Sequence, residues 1–170
     1  MRCFQGRLFT VDGMIEDEAP LKKEIYEQIR YYATTSVARR IEHIMQAIKL
    51  ACASEPPEIQ MDRIHVRNGT YFADGHFTPE KEYCMNRLPI AYVSDAPAPT
   101  RWLQFLNELL YEEDIPALQE YIGYCLLPVT KAQKMLLMVG KGGEGKSRIG
   151  LILRELFGSS MYTGSLQKVE

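Results

Sequence analysis

The run Gly140-Lys141-Gly142-Gly143-Glu144-Gly145-Lys146-Ser147 matches the spacing G-x-x-x-x-G-K-S/T, and few eight-residue stretches restrict a fold so tightly. Glycines at 140, 142, 143 and 145 permit backbone angles closed to residues with side chains, and the pattern requires a strand before it and a helix after it. The preceding segment, Lys134-Met135-Leu136-Leu137-Met138-Val139, shows no polar alternation, as in a strand buried on both faces of a parallel sheet. A buried helical turn carries the same pattern; short length and the terminating glycine favour a strand. Downstream, Ile149, Ile152, Leu153, Leu156 and Phe157 recur at helical spacing, and Gly158 stands where a C-terminal glycine is expected.

A loop of this kind points consecutive N–H groups inward as an anion nest at a helix N-terminus, which suits the phosphates of a nucleoside triphosphate. Lys146 is expected to reach the β- and γ-phosphates, and the Ser147 hydroxyl to take one position on Mg²⁺. The candidate binding residues are therefore Gly140, Lys141, Gly142, Gly143, Glu144, Gly145, Lys146 and Ser147, with ATP and Mg²⁺ as the expected cofactors and Ser147 as the metal-facing residue. Lys141 and Arg148 are weaker phosphate candidates. The plain alternative, a glycine-rich turn with an ordinary surface lysine, is disfavoured by the flanking elements. No catalytic residue is expected. Hydrolysis needs an acid ending a later strand and usually an arginine from a neighbouring subunit. After Ser147 the only acids are Glu155, within the expected helix, and Glu170, and neither follows an apolar strand. With a single strand of a larger sheet visible, the chain reads as a fragment of a P-loop enzyme.

Composition narrows the classes without choosing among them. The 170 residues suffice for one domain, or a small domain and part of another, and the formal charge of −2 gives no global basicity. Residues 134–170 hold 6 basic and 3 acidic side chains, a surplus too small to announce a nucleic-acid face. Cys3, Cys52, Cys84 and Cys125 form no C-x-x-C pair, and His43, His65 and His76 are scattered, so reduced thiols and structural histidines are expected in a cytoplasmic setting. No apolar run approaches the roughly 20 residues of a membrane span.

Ahead of the loop, Asp12-Gly13 between apolar runs predicts a hairpin over residues 4–15, and Asn68-Gly69 predicts another within Ile64–Phe72. Apolar stripes predict helices over Pro20–Tyr32 and Ser36–Ala51, the Thr34-Thr35-Ser36 cluster offering caps for the second. Four prolines make residues 73–99 loop-rich, with a short strand at Ile90–Val93. Thr100 and Asp114 are placed to cap two further helices, one lined by Trp102, Phe105, Leu106, Leu109 and Leu110, the other by Leu118, Tyr121, Ile122 and Cys125. Trp102, inside an apolar stripe, is expected in a core and not against a base.

Asn68-Gly69, Asn86-Arg87-Leu88-Pro89-Ile90, Pro99-Thr100-Arg101-Trp102, Leu118-Gln119-Glu120 with Gly123-Tyr124, and the Gly140–Ser147 loop occur in an order that resembles the helicase half of phage- and poxvirus-type primase-helicases, a branch of superfamily 3 within the AAA+ ATPases. The similarity spans residues 61–166 and is less distinctive over the first 60. It implies a mixed α and β architecture: a mainly helical collar-type domain with small hairpins over 1–98, then the first strand–P-loop–helix unit of an incomplete α/β AAA+ domain over 99–170. It implies an ATP-driven hexameric ring that unwinds DNA during phage, plasmid or viral replication, in which Gly140, Gly145, Lys146 and Ser147 match the Walker A positions. On the same resemblance, the Walker B acids, sensor, arginine finger and DNA-gripping hairpin are expected beyond Glu170, and no primase module is expected within the chain. Two other readings are a non-enzymatic remnant or partner-binding module of a helicase ring, and a P-loop kinase or signalling NTPase, for which no further motif speaks.

Overall fold

The computed structural model describes residues 1–143 and 145–164. As the sequence leads one to expect, the architecture is mixed α and β, with five α-helices and two small antiparallel sheets among the described residues. The chain divides into two compact units, Met1–Glu58 with Glu82–Met85, and Ile59–Lys81 with Asn86–Glu170.

The first unit opens with a meander, β1 (Arg2–Phe4), β2 (Arg7–Thr10) and β3 (Gly13–Met14), paired in that order. The expected hairpin at Asp12-Gly13 is present, and a second turn precedes it at Gln5-Gly6. Both turn residues there have positive φ, 48° and 76°, the two-residue geometry whose twist matches that of paired strands. Helices α1 (Ala19–Ile29) and α2 (Val37–Ala51) follow. Ser36 occupies the cap position of α2 but makes no capping bond, because it sits in the left-handed conformation instead of the extended one a cap requires. The helices bury Ile25 and Met45 against Cys3 and Leu8, with Leu21, Ile41, Ile44 and Ile48 packed around them. The end of α2 is tied to β1: the Cys3 N–H donates to the Cys52 carbonyl (2.8 Å) and the Ser54 N–H to the Cys3 carbonyl (3.0 Å). Ion pairs Lys22–Glu42 and Lys49–Glu18, each 2.6 Å, cross between the helical segments; the first is half in solvent and adds little.

In the second unit, β4 (Arg63–Val66), β5 (Gly69–Phe72) and β6 (Phe77–Thr78) form the other meander. The pairing of Val66 with Gly69 makes Arg67-Asn68 the turn, so Gly69 is the first residue of β5 and not part of the turn. It must be glycine for reasons of space, since a β-carbon there would run into the Thr78 carbonyl and the Phe77 ring. The β6 strand falls in the region read as loop; its signal was Asp74-Gly75, where Gly75 takes φ 95° and the His76 N–H donates to the Asp74 carboxylate (3.1 Å). Residues Ile90–Val93 do not form the expected strand. Pro89 lacks a donor, so the chain makes separated bonds instead: Leu88 N–H to the His65 carbonyl (2.8 Å) and Arg67 N–H to the Ile90 carbonyl (2.7 Å). Side chains complete the attachment. Arg87 Nη1 donates to the carbonyls of Val66 (2.6 Å) and Gly69 (3.2 Å), while Asn68 both donates to the Tyr92 carbonyl and accepts from its N–H, each at 2.8 Å.

Helices α3 (Thr100–Leu109), α4 (Asp114–Cys125) and α5 (Lys146–Phe157) share a core of Leu106, Leu118 and Ile149, with Trp102 and Phe105 stacked at its edge. Thr100 and Asp114 are the first helical residues, one position inside the caps Pro99 and Glu113, and neither α3 nor α4 has a side-chain cap. Asp114 instead places its carboxylate in the first turn of α4, where the helix dipole favours it.

The segment Lys134–Val139 is not a strand. None of the six strands among the described residues pairs with it, and a strand exists only through its neighbour's hydrogen bonds. Met135, Leu137 and Val139 are 85%, 78% and 84% exposed, whereas Leu136 packs on the three-helix core.

Two expectations follow for solution. Met45→Ala, in the first core, lowers unfolding free energy by about 2–5 kcal/mol in urea titration, while Leu50→Ala, one turn on and 80% exposed, changes it by less than about 0.5 kcal/mol; similar losses at both sites would contradict this core. Arg87→Ala strips the charged donor from two turn carbonyls and costs about 1.5–3 kcal/mol, with amide exchange accelerated in β4 and β5. Unchanged protection there would show that the guanidinium does not hold the hairpin.

Candidate functional site

The glycine loop sits where the amides of α5 begin. Gly142, Gly143 and Gly145 all have positive φ (99°, 74° and 99°), and Gly145 is the N-cap residue of α5. At Gly142 and Gly143 the need for glycine is conformational, since no neighbour lies within 4 Å of a built β-carbon. At Gly145 space also matters, because a β-carbon would stand 3.1 Å from the Phe105 ring of α3. Fully buried Ile149 fixes the first turns of α5 to the three-helix core, so the loop is carried by packed elements on its C-terminal side. Of the other expected site residues, Gly140 and Lys141 are exposed, and Ser147 is exposed in the first turn of α5. Glu144 lies outside the described residues.

Among the described residues, two hollows border the loop. An open one of about 280 Å³ is lined by Phe105, Glu108 and Leu109 of α3 and by Gly143, Gly145 and Arg148. The other, about 210 Å³, contains Lys146 and Asp114 at a largely apolar wall of Leu109, Leu110, Leu118, Ile149 and residues 136–139. Gly143, Gly145 and Arg148 line the first hollow, and Lys146 is among the residues lining the second.

Elsewhere the titratable groups have structural settings. His65 is buried in β4 with Nδ1 3.5 Å from the Thr70 hydroxyl, which donates to the Glu80 carbonyl (3.1 Å). His76 pairs with Asp74 at 2.6 Å, and the His76 N–H, with its imidazole second, holds the Asp74 carboxyl below the usual aspartate range. The four cysteines are free thiols; Cys3 and Cys84 are buried, Cys125 exposed. Among the described residues no group of three or more His, Cys, Asp or Glu side chains is arranged to hold a metal. No described helix is long and apolar enough to cross a membrane.

Phe105 and Glu108 were not among the residues singled out for binding. Phe105 was visible only as one member of the apolar stripe of α3, and periodicity shows that a face is buried without showing that one ring reaches past the core to a neighbouring loop.

No curated protein matches the chain. The family model described as D5 N terminal like matches residues 8–110, more than half of the 170, running from β2 through α3 and stopping ahead of the glycine loop. Both Asn68-Gly69 and Asn86–Ile90, which the hydrogen bonds of Arg87, Leu88 and Asn68 join into one substructure, lie inside that match. The chain belongs to the D5 N terminal like family, the N-terminal region of phage and viral primase-helicase proteins.

Proposed function

We propose that this chain is the amino-terminal part of an ATP-dependent DNA helicase of the primase-helicase type, and that its glycine loop binds ATP with Mg²⁺. The observation that carries the nucleotide reading is the set of left-handed glycines, Gly142, Gly143 and Gly145, at the N-terminus of α5. That backbone turns successive N–H groups toward one side, and the helix adds its positive end, so a phosphate group is favoured there. Lys146, the first residue of α5, carries the charge for the β- and γ-phosphates. Ser147 offers its exposed hydroxyl as the protein's oxygen for Mg²⁺, which when bound neutralises charge on the phosphates.

These residues bind and orient; they do not activate water. Glu108, the carboxylate that lines the hollow beside Gly143 and Gly145, already accepts at Oε1 from Gln104 Nε2 (2.9 Å). The role assigned to this chain is therefore nucleotide capture, with hydrolysis, ring assembly and DNA unwinding belonging to the complete helicase. DNA and further copies of the subunit are its proposed partners in that assembly.

Calorimetric titration with ADP and Mg²⁺ tests the reading. Saturable binding is expected, weakened at least about tenfold by Lys146→Ala through loss of a charge-assisted bond, and weakened by chelating the metal. ATP turnover by the chain alone should stay at background with or without single-stranded DNA. Equal affinity in the wild type and Lys146→Ala, or robust turnover, would contradict the assignment.

A further inference from the structure

We propose that the hollow between α3 and the glycine loop seats the base of the bound nucleotide, with Phe105 as its apolar wall and Glu108 as the acceptor for an exocyclic amine. This deepens the nucleotide reading above and rests on it. The hollow lies directly against Gly143 and Gly145, so phosphates held by the loop amides bring the nucleoside within reach of it. Its volume, about 280 Å³, accommodates the bicyclic ring of a purine. One wall is the Phe105 ring, whose centroid lies 5.7 Å from that of Trp102 and whose edge atoms come within 3.1 Å of where a β-carbon on Gly145 would stand. Aromatic surfaces in this position attract flat heterocycles through stacking.

Glu108 stands one helical turn beyond Phe105 on the same hollow. Its Oε1 receives the Gln104 amide, and a carboxylate has acceptor capacity on both oxygens, so Oε2 can take a proton donor from the ligand. An exocyclic amine satisfies that acceptor, whereas a carbonyl at the same ring position would meet it with like polarity. The seat therefore favours an adenine over a hypoxanthine. Arg148, across the hollow at the first turn of α5, supplies the positive charge where the phosphate chain leaves the base. Among the described residues, the second hollow, which holds Lys146 and Asp114 at an aliphatic wall, is lined by no aromatic ring and no loop glycine.

The experiment compares ADP, inosine diphosphate and inorganic pyrophosphate, each with Mg²⁺, by calorimetry and by the emission of Trp102, the single tryptophan. In the wild type ADP should bind more tightly than either competitor, and Trp102 emission should change with ADP but not with pyrophosphate. Phe105→Leu, which keeps an apolar side chain in the core, should weaken ADP on the order of tenfold and leave pyrophosphate unchanged. Glu108→Gln should erase the preference for ADP over the inosine nucleotide. Pyrophosphate binding with no added affinity for ADP overturns the base seat alone, as does a Phe105→Leu variant that loses both ligands equally. Failure of the wild type to bind any of the three overturns the phosphate reading and the base seat with it.

Discussion

The Arg87 guanidinium donates to the carbonyls of Val66 and Gly69, at the two ends of the β4–β5 turn, and that contact organises the substructure at the centre of the family match. A three-stranded meander of four, four and two residues has too little buried surface to hold its register unaided. Arg87 closes the turn from outside, Leu88 is buried beside it and bonds to His65, and Asn68 fastens the returning chain at Tyr92. Two sequence motifs almost twenty residues apart thus behave as one piece. Charge-assisted bonds of this sort resist loss more than neutral ones, because removing the donor leaves partly buried carbonyls without a partner.

From that piece the chain reaches α3, the last element of the family match, and α3 is where the matched region meets the glycine loop. The contact is narrow, a Phe105 ring against the backbone of Gly145, and it accounts for glycine at that position by space as well as by φ. On the far side, Ile149 anchors α5 in the same three-helix core. The loop is therefore held by packing at its helical end, while residues 134–139 on its other end are largely exposed. The proposed division of labour follows from this arrangement: backbone geometry supplies the phosphate site, and α3 supplies the surface for the rest of the nucleotide.

Much of this was legible beforehand, and the failures have physical causes. Helices α1 to α5 followed from apolar stripes, because 3.6-residue periodicity survives in the sequence whatever the partner. Asp12-Gly13 and Asn68-Gly69 marked hairpins correctly, yet each glycine is the first residue of the returning strand, paired with Thr10 and with Val66, and the crowding of Gly69 by Phe77 and Thr78 is a tertiary fact invisible to turn rules. Caps were misplaced by one residue at Thr100 and Asp114, and Ser36 was turned away by its own backbone angle. The larger miss was the strand at Lys134–Val139. Its apolar run carries the signature of double burial, but apolarity supplies only the demand for cover; a strand also needs a hydrogen-bonding neighbour, and none of the six strands among the described residues provides one. At the loop, glycine spacing anticipated the left-handed backbone at 142, 143 and 145, while the hollow that Phe105 and Glu108 line beside it depends on how α3 packs.

Whether phosphate engages the loop through its backbone can be read directly from the amide resonances of isotope-labelled protein titrated with ADP and Mg²⁺. The expected result is that the N–H signals of Gly142, Gly143, Gly145, Lys146 and Ser147 move together and saturate at one nucleotide per chain, with smaller changes in α3 around Phe105. Shifts confined to other parts of the chain, with these five amides unmoved at saturation, would contradict it.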